Sequence, residues 1–264
     1  MNARKLSKLS LDTISEIGGS AVSVIFAGLT LNPAAGALVQ PLASSIFKGL
    51  FNFAARPITP VQRVRVDAFV ETALEVMKVR IAKGDMPRQG DYFAIGSDTW
   101  SKADEILESV LLAVVDSYEQ RKVPLLGRLY ANLAFREDID PQYAHYLVSL
   151  ANELTYTQLL ALAIGRQPSL KSRLRDHDYT ALAAKGEMPS TSARGLLSQI
   201  LMLEQRGFLA ADNTSAWLGV TNVVPGGYKA ETAGFELTEL MNLLSIPESE
   251  FSDFFDQLGP TVDA

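Results

Sequence analysis

Charged and apolar positions interleave along most of this chain, but between Glu16 and Lys48 the interleaving stops: residues 17–47 carry no charged side chain, are dense in Gly, Ala and Ser, and are split by Asn32-Pro33. The pattern predicts a helical hairpin, with residues 17–31 as one arm, 34–53 as the other, and the proline enforcing the turn. Such arms would extend about 22 and 30 Å, against a bilayer hydrocarbon core of about 30 Å. In the first arm Gly19, Ser23 and Ala27 fall on one stripe at i, i+4, i+8, the small-residue spacing that lets helices approach closely in lipid. The opposite face carries Val22, Ile25, Phe26 and Leu29. In the second arm Gly36, Gln40, Ser44, Lys48 and Asn52 recur every four residues, leaving Leu38, Val39, Leu42, Ala43, Ile46, Phe47, Leu50 and Phe51 to form an apolar face. A helix of this kind lies in the headgroup plane, lines a water-filled pore in an oligomer, or covers a soluble core. Crossing the membrane alone is disfavoured, since a lysine such as Lys48 at mid-bilayer costs about 3 kcal/mol.

The remaining pattern is helical. Thr59-Pro60-Val61-Gln62 reads as an N-cap, a proline at N1 and a capping-box glutamine, opening an amphipathic helix to about Lys83 that Gly84 ends. Residues 85–98 form a loop, Ser101 opens a helix to about Gln120, and Pro124 starts a third. Asp140-Pro141 caps a helix through Leu150, and Thr155 with Gln158 boxes another ending near Gly165. Leu and Ala at helical spacing make this an all-α bundle. After a variable polar stretch, Ser190 or Thr191 caps a helix to Gln205, followed by Gly207-Phe208-Leu209, a β-prone segment at 217–224, Pro225-Gly226-Gly227, and a helix over 237–244. That order suggests a small winged-helix-like module. The expected organisation is therefore a basic N-terminus with the apolar hairpin (1–58), a helical bundle (59–188) and the winged-helix-like module (189–264).

Charge sharpens this division. Residues 1–65 hold Arg4, Lys5, Lys8, Lys48, Arg56, Arg63 and Arg65 against Asp12 and Glu16, a balance of +5, whereas residues from 189 onward balance at −7. An anionic lipid surface attracts the first and repels the second. The acidic end argues against nucleic acid as a partner, because phosphate neutralisation needs Lys and Arg on the recognition face. A signal peptide is disfavoured by Asp12 and Glu16 and by an apolar stretch too long for an h-region. Gly/Ala/Ser-rich apolar helices also form the centres of soluble bundles, and a protein that stows the hairpin in water and releases it on a trigger satisfies both readings.

Chemistry leaves little trace. The chain has no cysteine and only His145 and His177, which removes thiolate chemistry and multi-histidine metal sites. No glycine-rich phosphate loop, dinucleotide fingerprint or zinc helix motif is present, so no cofactor is expected. Ser45 and Lys48 match a Ser-x-x-Lys spacing without its companion motifs, which chance explains. His145 has no carboxylate or nucleophile partner evident in sequence, and Asp104, Glu105 and Glu108, like Asp138 and Asp140, read as helix-start electrostatics. An enzyme is not expected.

The blocks Leu129-Tyr-Ala-Asn-Leu-Ala134, Ile139-Asp-Pro-Gln-Tyr143, then Leu147, Leu150, Leu154-Thr155 and Leu159, resemble the helical core of the abortive-infection alpha family of bacterial anti-phage proteins. Leu203-Glu-Gln-Arg-Gly-Phe-Leu209 and Leu237-Thr-Glu-Leu240 fit the small element that follows in such proteins. The resemblance implies a non-enzymatic bacterial or prophage protein acting in phage exclusion or cell suicide; the long hairpin departs from that family's start. Three readings follow: a membrane-acting effector at the inner face of the cell membrane, with lipid and either a protein partner or itself as partners; a soluble helical adaptor; and a winged-helix transcription regulator.

Overall fold

The computed structural model describes Leu42, Ser45, Ile46, Gly49, Leu50, Phe53 and residues 56–89, 92–93, 100–175, 189–211 and 227–258. Among these residues there are nine α-helices and one two-stranded antiparallel sheet, so the chain is predominantly helical as expected. It divides into two compact units between Glu153 and Leu154. Of the boundaries expected from sequence, the one after residue 188 abuts residues outside the described set, and the β-prone segment at 217–224 lies wholly outside it.

The first unit starts its helices where the caps demand. α1 (Pro60–Ala82) opens on a complete capping box: the Thr59 hydroxyl accepts from the Gln62 amide at 3.2 Å and the Gln62 side chain accepts from the Thr59 amide at 2.9 Å. Gly84, at φ +89°, takes the left-handed turn that ends it. α2 (Lys102–Asp116) opens on a second box, Ser101 with Asp104, and stops short of the expected Gln120. The apolar period runs out at Val115, and the stretch after it offers no apolar side chain to bury before Val123; Tyr118 stands 96% exposed. A 3₁₀ turn at Gln120–Lys122 then leads into α3 (Val123–Leu133), and Asp140 caps α4 (Pro141–Glu153) by accepting from the Tyr143 amide at 2.9 Å.

α1 packs on α3 and α2, and α2 packs on α4. Val66, Phe69, Val70, Ala73, Leu74 and Met77 form the buried stripe of α1 at the expected helical spacing. Gly127 lets α3 approach closely: a Cβ there would lie 2.8 Å from the Phe69 carbonyl oxygen, nearer than real side chains come.

In the second unit, α5 (Tyr156–Arg166) carries the Thr155–Gln158 capping box. α6 (Pro168–Arg175) forms where the sequence suggested only a polar stretch, because Leu170 and Leu174 give one buried pair at i, i+4. α7 (Thr191–Gln205) is capped by Ser190. β1 (Leu209–Ala211) pairs antiparallel with β2 (Tyr228–Ala230), Ala210 facing Lys229, and α8 (Thr232–Leu240) follows directly. The helix expected over 237–244 ends at Leu240, since Asn242 adopts a left-handed conformation (φ 50°) and a 3₁₀ turn follows. α9 (Ser252–Leu258) completes the described chain.

Candidate functional site

All ten residues singled out in the apolar segment, Gly19, Ser23, Phe26, Ala27, Asn32, Pro33, Gly36, Gln40, Ser44 and Lys48, lie outside the described residues. Six positions on the second arm are described, and they are informative. Leu42, Ser45, Ile46, Gly49, Leu50 and Phe53 are helical and buried, at the 3–4-residue spacing of one helix face. Leu42, Ile46 and Leu50 belong to the apolar face that the sequence pattern assigns to this arm.

What that face meets is α2 of the same unit. The Ser45 hydroxyl donates to Asp104 Oδ1 at 2.8 Å, with Ser45 6% and Asp104 2% exposed. Asp104 Oδ2 accepts from the Ser101 amide at 3.1 Å, and Ser101 Oγ accepts from the Asp104 amide at 3.2 Å. One carboxylate therefore serves two structures: it closes the capping box of α2 and receives a hydroxyl from the arm. Three or four residues along each element, Gly49 sits directly over Leu107, and any side chain in place of its hydrogen would collide with Leu107 Cδ2. At the exposed end Arg56 pairs with Glu108 and lies over the Phe53 ring, 5.4 Å from its centroid.

The interior behind this seam is polar as well. The Tyr130 hydroxyl is fully buried with no hydrogen-bond partner among the described residues, and burial, with Tyr92 and the Asp104 carboxylate nearby, holds its ionisation well above the ordinary phenol range. Burial likewise pushes Tyr92 up to about 12, opposed by the Arg88 guanidinium stacked 4.1 Å above its ring. Arg88 in turn donates to the Ile139 carbonyl at 2.6 Å. An orphaned phenol in such a place is costly, by about 1–3 kcal/mol.

No known protein family, curated protein or solved structure matches the chain. The site must therefore be judged on its own geometry.

Two other constellations were invisible in the sequence. His145 acquires partners across the α2–α4 crossing: Ser109 Oγ at 3.4 Å from Nδ1 and Glu105 Oε2 at 3.9 Å from Nε2. The set has the members of a hydrolytic triad without its surroundings. Ser109 lies well inside α2, beyond the first turn where amides are unclaimed, so no adjacent N–H is free to hold an oxyanion. In the second unit a groove of about 420 Å³ is lined by Gly165, Arg166, Lys229, Glu231, Thr232 and Phe235. Arg166 meets Glu239 at 3.1 Å and Lys229 meets Glu231 at 2.6 Å, so both cations are balanced by carboxylates. That leaves no surplus charge for an anionic ligand. Among the described residues no group of three or more His, Asp or Glu is placed to hold a metal ion.

Among the described residues, only the seam between arm and α2 combines burial, a charged acceptor and a segment of unusual composition. Ser45 of the Ser-x-x-Lys spacing is bonded to Asp104, while Lys48 lies outside the described residues. Among the described residues no single helix is long and apolar enough to cross a membrane; α4 and α5 reach that composition only when counted together.

Proposed function

We propose that this protein is a non-enzymatic, membrane-associating effector of a bacterial defence or toxin system, acting through its N-terminal apolar hairpin. The helical part stows the hairpin until a trigger releases it. The observation that carries the reading is the arm itself: the apolar face of a segment flanked by cations is held, helical and buried, on α2. A protein that keeps a membrane-seeking segment in water needs such a surface. The resemblance of residues 129–159 to the abortive-infection alpha family supports the defence setting, and the basic N-terminal charge supports the inner membrane face as the place of action.

The C-terminal part reads as a winged-helix-like module used for protein contacts. The order α7, β1, β2, α8 supports that reading, and the −7 balance from residue 189 onward disfavours DNA as its partner. The competing reading, a soluble helical adaptor, draws on the same seam. Leu42, Ile46, Leu50 and Phe53 are as deeply buried as any permanent core.

Fractionation separates the two. Full-length protein expressed without a fusion, beside a deletion of residues 17–53, is expected in the membrane fraction only when the segment is present, and Gly19→Leu or Ser44→Leu is expected to abolish vesicle leakage while helicity is retained. A wholly soluble intact protein whose deletion aggregates would make the segment core and the protein an adaptor.

A further inference from the structure

The stowed arm poses a problem of preference. A lipid interior receives Leu42, Ile46, Leu50 and Phe53 about as well as a protein core does, because acyl chains are as apolar as leucine. Burial of these side chains therefore favours docked and inserted states alike and does not choose between them. The choice falls to contacts made in one state only, and the described residues provide three: Ser45 with Asp104, Gly49 with Leu107, and Arg56 with Glu108.

These are unequal. The Arg56 and Glu108 side chains are 45% and 35% exposed, and exposed ion pairs hold little. Gly49 sets how closely the arm approaches but has no polar group to lose. Ser45 differs, since its hydroxyl is bonded to a buried carboxylate when docked and in lipid can turn only to a carbonyl of its own helix. Asp104 stays behind on α2, where departure of the arm opens it to water.

We infer that the Ser45–Asp104 hydrogen bond is an autoinhibitory clasp that holds the N-terminal arm on α2, and that its release commits the segment to the bilayer. The second half of this inference rests on the membrane reading above; the first does not. The clasp is also a register device. With Ser45 on Asp104 and Gly49 on Leu107, a shift of the arm along α2 by one residue in either direction loses the hydroxyl's acceptor and drives a side chain against Leu107.

The chain's lack of cysteine makes a clean test possible. A Cβ built on Gly49 lies 3.9 Å from Leu107 Cβ, inside the separation of about 3.5–4.5 Å that a disulfide spans. Gly49→Cys/Leu107→Cys therefore locks the arm when oxidised and, by removing the Leu107 methyls, relieves the collision that a side chain at 49 would meet. Two readouts are taken. In water without lipid, hydrogen exchange over residues 42–53 is compared with that of α1 and α3; with vesicles of mixed phosphatidylcholine and phosphatidylglycerol, dye leakage is followed. Ser45→Ala is expected to raise exchange over 42–53 by on the order of tenfold or more, leaving α1 and α3 unchanged. The oxidised double variant is expected to suppress that exchange and to leak no dye until reductant is added. Unchanged exchange in Ser45→Ala overturns the clasp, and full leakage with the disulfide intact overturns the claim that its release commits the segment to the bilayer. If Ser45→Ala loosens the arm in water while neither wild type nor reduced double variant leaks dye, the clasp stands and the membrane reading falls.

Discussion

Two seams within the first unit, α1 on α3 and the arm on α2, are built from the same kinds of side chain to opposite ends. Between α1 and α3 the contact is mainly hydrocarbon and aromatic: Phe69 meets Tyr130 with ring centroids 5.9 Å apart, beside Leu74 and Met77, Gly127 brings one backbone against the other, and a half-buried hydrogen bond from Arg80 Nη1 to Asn132 Oδ1 at 3.0 Å closes one end. Between the arm and α2 a comparable apolar stripe is joined by a hydroxyl on a buried carboxylate and an ion pair at the exit. Apolar contact resists separation without specifying what comes next. The polar pair specifies one register and gives the seam an element that another environment does not reproduce. One seam is thus built to stay closed, the other to be held.

The largest expected effect breaks the first seam. Phe69→Ala removes a fully buried ring between α1 and α3 and is expected to cost about 3–5 kcal/mol, read as a lower urea midpoint of global unfolding. A loss below 1 kcal/mol would mean that this seam is no firmer than the other. Next comes a matched pair of glycines. Gly127→Ala sets a methyl 2.8 Å from a backbone carbonyl oxygen, which yields only if a helix moves, and is expected to cost about 1–3 kcal/mol. Gly49→Ala meets Leu107 Cδ2, the end of a flexible side chain, so rotation of Leu107 absorbs much of the strain and the cost is expected to stay below about 1 kcal/mol. Equal losses in denaturant titrations would erase the distinction drawn between the two seams.

How far the sequence disclosed these seams follows from the range of the interactions involved. Capping boxes at Thr59 and Thr155 and the Ser190 cap were legible because each closes within three residues, and the stripe from Val66 to Met77 was legible because helical period alone places it. Asp104 was read only as helix-start charge. That is half its role, since its other partner, Ser45, is 59 residues away and no local pattern connects them. The same limit hid the approach of Ser109 and Glu105 to His145, brought about by the α2–α4 crossing. α6 was missed for another reason: its burial rests on Leu170 and Leu174 alone, too few apolar positions to show a period. α2 ends at Asp116, short of the Gln120 that local pattern suggests, where exposed Asp116 and Tyr118 break the run of buried apolar positions.

The smallest effect concerns a charge on α1, one of the two helices of the firmer seam. Asp67 lies on α1, four residues from Arg63, with its Oδ1 buried and without a partner among the described residues. Partial burial pushes its carboxyl up from 3.8 to about 6, with the Arg63 guanidinium opposing. Because the folded form holds the proton more tightly than the unfolded one, Asp67 weakens the fold above pH 6, and that penalty fades as pH falls from about 6 to 3.8. This is the reverse of an ordinary salt-bridged aspartate, which loses stabilising charge on acidification. Asp67→Asn is accordingly expected to raise the urea midpoint at neutral pH and to flatten its dependence on pH across that window, while below pH 3.8 variant and wild type converge. A variant less stable than wild type at neutral pH would show that the attraction of Arg63 outweighs desolvation. Charge would then help to hold α1, and the contrast between a mainly apolar seam and one fixed by a buried polar pair would have to be redrawn.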